Sequence, residues 1–159
     1  MTASSAIASD GTERRSVYLH AGQLHVSSEP CEVVTILGSC VAVCLFDPDA
    51  RVGGVNHYLL PVGSAREASS RYGTHAIPQL LERVLAGGAR REALRAKVFG
   101  GACTLQALPG RNLGQENVDV ALRLLEEQRI PVAERDVGGK SGRKLVFHTD
   151  VGAAWVRRL

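Results

Sequence analysis

Two of the four cysteines and one histidine lie in the most apolar part of this 159-residue chain, the segment 36–60. The cysteines are Cys40, which follows Gly38 and Ser39, and Cys44, and the histidine is His57. A thiol next to an imidazole can give the ring its proton and attack a carbonyl carbon as a thiolate. Cys40 and His57 are therefore candidates for a nucleophile and its base.

The sequence around these two residues predicts a β-hairpin. Residues 40–46 form a continuous apolar run, which is typical of a strand buried on both faces. Residues 52–60 predict the returning strand. Between them the sequence Asp-Pro-Asp-Ala at 47–50 predicts a turn, because proline presets its own φ angle and aspartate hydrogen-bonds to nearby backbone.

The length of this turn predicts how the two strands align. If residues 47–50 form a four-residue loop, Phe46 faces Arg51, and Cys40 then faces His57 directly. Facing side chains lie on the same side of a sheet with Cβ atoms about 4.5–5.5 Å apart. The thiol and the imidazole would then be within reach of each other.

The residues before Cys40 suggest where a developing negative charge could be held. Glycine lets a substrate approach the backbone closely, and the N–H groups near Gly38 and Ser39 could bind an oxyanion. Two alternatives remain open at this point. Cys40 could be a small buried apolar residue beside a structural His57, and Cys103, which follows two glycines, is a rival nucleophile.

The rest of the chain predicts a mixed α/β fold with about eight strands and two helices. Helical spacing of apolar residues covers 77–85 and 117–127, and the strand pattern indicates antiparallel pairs at both ends of the chain. Residues 1–15 are expected to form a disordered tail and residues 16–159 a single domain. The other predicted strands lie at 17–26, 32–37, 96–99, 131–136, 144–148 and 153–157.

Composition excludes several classes of function. Apolar residues make up 45% of the chain and charged residues 22%, as in ordinary globular proteins. Aromatic residues are only 4%, which argues against a nucleic-acid binder that stacks bases. No pair of the CxxC or HxxxH type suggests a metal site. No signal peptide or membrane span is expected, so we predict a cytoplasmic protein with free thiols.

Five stretches of the sequence together resemble the CheD family of chemoreceptor glutamine deamidases. They are LGSCVAVCLFDP, GGVNHYLLP, KVFGGA, NLGQENV and DVGGKSGRKLVFHTDVG, and the resemblance runs over about residues 17–157. It implies a layered α/β/β sandwich with Cys40 as nucleophile and His57 as base. The implied substrates are glutamines of methyl-accepting chemotaxis receptors, a further partner is the phosphatase CheC, and no cofactor is required.

The third catalytic residue of that family is a threonine six residues before the cysteine. That position here is Val34, and Thr35 follows it. Because neighbouring strand residues point to opposite faces, Thr35 fills this role only if the strand presents it toward the histidine. This departure leaves an alternative in which the chain is a weakly active or non-catalytic adaptor that binds receptors and CheC.

Overall fold

The computed structural model describes residues 3–7, 10–64, 66–104 and 110–159, which contain ten strands and two main helices. The helices are α1 (Gly73–Ala86) and α2 (Leu113–Glu127). The strands are β1 (Ala3–Ile7), β2 (Glu13–Tyr18), β3 (Leu24–Ser27), β4 (Cys31–Leu37), β5 (Val41–Asp47), β6 (Val52–Asn56), β7 (Arg95–Gly100), β8 (Val132–Val137), β9 (Arg143–His148) and β10 (Ala154–Arg158).

The strands form two five-stranded sheets. The outer sheet has the order β1-β2-β4-β9-β10, and the central sheet has the order β3-β6-β5-β7-β8. Each is antiparallel except for one parallel pair, β2 with β4 and β7 with β8. Both helices pack on one face of the central sheet, and the outer sheet covers its other face. The predicted α/β/β sandwich is therefore confirmed.

Strand β5 runs through the middle of the molecule, and every residue in it is buried. Its odd-numbered residues, such as Val41 and Val43, contact the helices, whereas Ala42 and Cys44 belong to the apolar layer between the two sheets. The same alternation continues in β6, where Val55 faces the outer sheet. A strand with helices on one side and a sheet on the other needs apolar side chains on both faces.

The register predicted for the hairpin is wrong by two residues. Asp47 pairs with Val52 rather than Phe46 with Arg51. The reason lies in the turn: the Asp47 carboxylate accepts the N–H groups of Asp49 and Ala50, and Arg51 takes a left-handed φ of 58°. A shift by an even number of residues keeps each side chain on its predicted face.

The ends of several elements also differ from prediction. Residues 1–15 are not a disordered tail throughout, because β1 pairs with β2 and Arg14 is buried against Asp150. The predicted strand 17–26 is divided between the two sheets. Helix α1 starts before 77, so that Pro78 is its sixth residue, and α2 starts at its cap Asn112, whose side chain accepts the N–H of Gln115.

Of the helices that the structure describes, none is both long and apolar enough to cross a membrane.

Candidate active site

The candidate site lies where β5 begins and β6 has just ended, beneath β4 of the outer sheet. Cys40 immediately precedes β5, and its side chain packs against the layer between the sheets. His57 follows β6 and is buried. Val41 pairs with Tyr58 in the register of the hairpin, so Cys40 lies diagonally from His57 instead of directly opposite. Both side chains nevertheless belong to the face that looks toward β4.

Thr35 of β4 contacts the imidazole. Its Oγ1 lies 2.7 Å from Nδ1 of His57, and the same hydroxyl donates to the carbonyl oxygen of Leu19 at 2.7 Å. A hydroxyl has only one proton to donate. Since that proton goes to Leu19, the Thr35 oxygen accepts from Nδ1–H of His57, and Nε2 of the ring carries the free lone pair.

The alternation of β4 answers the question of which residue faces the histidine. Val33 and Leu37 lie in the layer between the sheets, and Thr35 shares their face, fully buried. Val34 has the opposite parity, and so does Ile36, which is 47% exposed. The regular alternation of β4 therefore directs Thr35 toward His57.

Burial sets the protonation states of the thiol and the imidazole. Loss of solvent lowers the pKa of His57 to about 4. It also raises the pKa of Cys40, although the backbone N–H of Cys40 itself stabilises the thiolate and opposes part of this shift. At neutral pH the ring is therefore neutral and the thiol protonated. No hydrogen bond joins Cys40 to His57, both of which lie in the described part of the chain.

The turn before Cys40 is held by three consecutive carbonyl groups. The carbonyl of Gly38 accepts from the N–H of Ala102 at 3.0 Å, and that of Cys40 accepts from the N–H of Gly101 at 2.9 Å. The carbonyl of Ser39, between them, accepts from the side-chain amide of Asn117 at 2.9 Å. Two backbone groups and one side chain therefore fix the turn from the side of β7 and α2.

Asn117 was missed in the sequence analysis. It is fully buried in the second turn of α2. The predicted helix at 117–127 begins at this residue, so the sequence analysis assigned it no role in the site. Its position beside Val118 on the apolar face of the helix predicts burial. A buried polar side chain needs hydrogen-bond partners, and this requirement could have identified Asn117 as a residue that binds another segment.

The other cysteines lie in different surroundings. Cys44 is fully buried, as expected of a core residue, and Cys31 is buried with Sγ 3.6 Å from Nε2 of His25. Cys103, the rival nucleophile, is exposed, and its N–H donates to the carbonyl of Gly139. Within the described residues its thiol, like that of Cys40, has no hydrogen bond to a histidine, but Cys103 lies outside the hairpin that places Cys40 diagonally across from His57.

Comparison with known proteins identifies relatives along nearly the whole chain. Residues 59–158 match the model of the family described as CheD chemotactic sensory transduction. A protein of Anaeromyxobacter dehalogenans strain 2CP-C, named probable chemoreceptor glutamine deamidase CheD 1, is 65% identical over 94% of this chain and 88% of its own length.

Two further relatives carry the name probable chemoreceptor glutamine deamidase CheD. The protein of Trichlorobacter lovleyi is 45% identical over 94% of both chains. That of Sulfurimonas denitrificans is 41% identical over 88% of this chain and 92% of its own length.

Proposed function

This chain belongs to the CheD family, and we propose that it hydrolyses glutamine side chains of chemoreceptors to glutamate, with Cys40 as the nucleophile and His57 as its base. One observation carries the assignment of roles. The Nδ1–H of His57 is bound by Thr35, which leaves Nε2 free on the face of the sheet that also carries Cys40.

The first half of the proposed reaction releases ammonia. Nε2 of His57 takes the proton of the Cys40 thiol while Sγ forms a bond to the carboxamide carbon of the glutamine. The imidazolium then gives that proton to the amide nitrogen, and the carbon–nitrogen bond breaks. Ammonia leaves, and the former carboxamide carbon remains bound to Cys40 as a thioester.

The second half consumes one water molecule. His57 takes a proton from water while the water oxygen attacks the thioester carbon. The carbon–sulfur bond breaks, the imidazolium returns a proton to sulfur, and a glutamate side chain is released. The immediate products are one glutamic acid side chain and one ammonia for each glutamine and water, and these exchange a proton at neutral pH to give glutamate and ammonium. The proton transfers among sulfur, nitrogen and water pass through His57.

Both halves place negative charge on the carbonyl oxygen, and we assign its stabilisation to the turn at 38–40. In a trans peptide the C=O group and the following N–H point in opposite directions. Since the carbonyls of Gly38 and Ser39 bind Ala102 and Asn117, the N–H groups of Ser39 and Cys40 point away from those partners. A donor of this kind contributes about 3–4 kcal/mol to lowering the barrier.

The proposed partners are proteins. The substrate is a glutamine side chain presented by a methyl-accepting chemotaxis receptor, in accord with the names of the relatives. Binding of the phosphatase CheC is proposed from the family resemblance alone. All four cysteines lie in the described residues and are unpaired, as in a reducing compartment, and we propose that the protein works in the cytoplasm.

Peptide mass spectrometry of a receptor tests the proposal. The purified cytoplasmic fragment of a chemoreceptor is incubated with wild-type protein, with Cys40→Ala and with the control Cys103→Ala. We expect conversion of glutamine to glutamate by wild type and Cys103→Ala, and a rate more than about 1000-fold lower with Cys40→Ala. Loss of conversion in Cys103→Ala alone would assign the nucleophile to Cys103.

The same experiment decides between an enzyme and an adaptor. If wild-type protein converts no receptor glutamine but still binds the receptor fragment or CheC, the chain acts as an adaptor. Binding measured with Cys40→Ala provides the control, because an adaptor does not need the thiol.

A further inference from the structure

The hairpin that carries Cys40 and His57 stops pairing just beyond these two residues. Val41 and Tyr58 exchange two backbone hydrogen bonds, of 3.2 and 3.0 Å. In this register the next hydrogen-bonded pair of an antiparallel ladder would join Ser39 to Leu60. The N–H of Leu60 instead donates to the carbonyl of Arg71, at 3.1 Å. The strands separate here, and the Ser39 carbonyl loses the partner that a continued ladder would provide.

The side chain of Asn117 takes the place of the missing ladder bond. Its Nδ2 donates to the carbonyl of Ser39 at 2.9 Å and to the carbonyl of Leu59 at 3.0 Å. Both partners are carbonyl oxygens, which can only accept, so the NH2 end of the amide must face them. One amide therefore bridges the residue before Cys40 and the strand that continues from His57.

The bridge leaves a buried oxygen of Asn117 unpaired by any residue that the structure describes, and the packing of the helix does not explain why a polar side chain lies there. Asn117 is fully buried, and its Oδ1 has no hydrogen-bond partner among the described residues. An unsatisfied buried oxygen destabilises a fold. Helix α2 is also held at this point independently, because the hydroxyl of Tyr58 donates to the backbone carbonyl of Asn117. The side-chain amide is thus not the only anchor of the helix.

We infer that Asn117 is a positioning residue, which fixes the Ser39–Cys40 peptide so that the N–H of Cys40 points at the oxyanion and the thiol stays on the face of the sheet that carries His57. This inference rests on the proposed deamidation. The amide holds the Ser39 oxygen on the side of α2, and the N–H of the same peptide must then point to the opposite side. Without it, the peptide can rotate.

Steady-state kinetics of Asn117→Ala test this role with the receptor fragment as substrate. We expect kcat to fall by about 10- to 100-fold, less than the loss of a whole oxyanion donor, with KM changed less than about threefold. The control is Asn112→Ala, which removes the cap of the same helix without touching the turn. This control is expected to lower the melting temperature and leave kcat within about twofold.

The alkylation rate of Cys40 gives a second readout that needs no substrate. Iodoacetamide is applied across a pH series, and the Cys40 peptide is quantified by mass spectrometry, which separates it from exposed Cys103. The backbone N–H of Cys40 stabilises its own thiolate. We therefore expect the alkylation profile of Asn117→Ala to shift to higher pH, and that of Asn112→Ala to match wild type.

The outcomes separate the two proposals. Equal kcat and equal alkylation in Asn117→Ala and wild type would overturn the role of Asn117. If wild type proves inactive on every receptor glutamine, the proposed function fails, and the alkylation profiles alone decide whether Asn117 positions the Cys40 peptide. Should Asn117→Ala not fold, Asn117→Ser is measured in its place, because its short hydroxyl cannot reach both carbonyls.

Discussion

The imidazole of His57 is oriented by a neutral hydroxyl, and this neutral partner determines the resting protonation state of the ring. A carboxylate at the position of Thr35 would stabilise the imidazolium and raise the pKa of the ring. The hydroxyl instead fixes the tautomer while burial keeps the pKa of His57 at about 4. A resting thiolate–imidazolium pair is therefore disfavoured, and in the proposed mechanism the transfer of the Cys40 proton accompanies the attack on the substrate.

The first prediction concerns the hydroxyl of Thr35. Thr35→Val keeps the shape of the side chain but leaves Nδ1–H of His57 and the carbonyl of Leu19 without a partner. We expect kcat to fall by about 100-fold, because general-base catalysis typically contributes a factor of this size. The free energy of unfolding should fall by about 1–3 kcal/mol. The control Thr35→Ser restores the hydroxyl and should keep kcat within about tenfold. Equal activity of the valine and serine variants would contradict the assigned role.

The second prediction is the pH dependence of activity. The base must be unprotonated, and the pKa of His57 is lowered from 6.5 to about 4. We expect kcat/KM to stay level from neutral pH down to about pH 5 and to fall by half near pH 4. A fall centred near pH 6.5 would show that the ring titrates as a solvent-exposed histidine.

The same pKa shift predicts a pH dependence of stability. Below pH 6.5 a histidine of the unfolded chain binds a proton, whereas folded His57 stays neutral until near pH 4. The unfolded state therefore gains protons as the pH falls through this window. The contribution of His57 is a loss of roughly 3 kcal/mol in the free energy of unfolding. Urea titrations of wild type and His57→Gln should diverge over this range.

At the scale of elements, the hairpin shows what the sequence could and could not determine. The apolar run at 40–46 and the turn signal at 47–50 identified two buried antiparallel strands correctly. The position of the first strand pair was not determined, because it depends on the Asp47 carboxylate closing the turn and on the left-handed Arg51. The prediction that Cys40 and His57 share one face of the sheet is nevertheless correct, because the register differs from the predicted one by an even number of residues.

The third prediction concerns the approach of helix α2 to the turn behind Cys40. A Cβ at Gly114 would collide with the carbonyl oxygens of Gly101 and Ala102. Gly114→Ala should push the helix and Asn117 away, lowering stability by about 1–3 kcal/mol and kcat by about tenfold. The control Gln115→Ala changes an exposed neighbour on the same turn and should leave both values unchanged. An unchanged kcat in Gly114→Ala would show that the position of helix α2 does not affect catalysis.

At the scale of the molecule, the site exists only because distant segments stack. Thr35 belongs to the outer sheet, Cys40 and His57 to the central sheet, and Asn117 to the helical layer. The sequence predicted the elements, and it proposed Cys40 and His57 from their residue types and the register of the hairpin and Thr35 from the family resemblance. It could not show that β2 and β3 enter different sheets, or that the amide of Asn117 reaches the Ser39 turn, because such contacts depend on long-range packing and leave no periodic signal.

The fourth prediction tests a buried ion pair within the outer sheet, which also contacts the central sheet through Arg51 at the far end of the hairpin. Asp150 binds Arg14 through two hydrogen bonds, of 2.9 and 3.0 Å, and binds Arg51 of the β5–β6 turn at 3.1 Å. Asp150→Ala leaves buried Arg14 with the half-exposed carboxylate of Asp10 as its remaining partner. We therefore expect a loss of about 3 kcal/mol in urea unfolding, the lower end of the range for breaking a buried pair. The control Glu116→Gln breaks a surface pair with Arg111, in which both side chains are about half exposed, and should cost less than about 1 kcal/mol.

Activity separates this structural role from a catalytic one. At a temperature where Asp150→Ala remains folded, its kcat should match that of wild type, because no hydrogen bond joins Asp150, Arg14 or Arg51 to Cys40, His57 or Thr35, all of which the structure describes. A large fall in kcat without unfolding would mean that the ion pair also positions the site.

Trapping of the covalent intermediate tests the central claim most directly. Wild-type protein is mixed with a receptor fragment, quenched with acid within the first turnovers, and digested for peptide mass spectrometry. The mechanism predicts an acyl adduct on the Cys40 peptide whose mass equals that of the receptor peptide less one ammonia, and no adduct in Cys40→Ala. An adduct on Cys103, or glutamate formation that persists in Cys40→Ala, would contradict it.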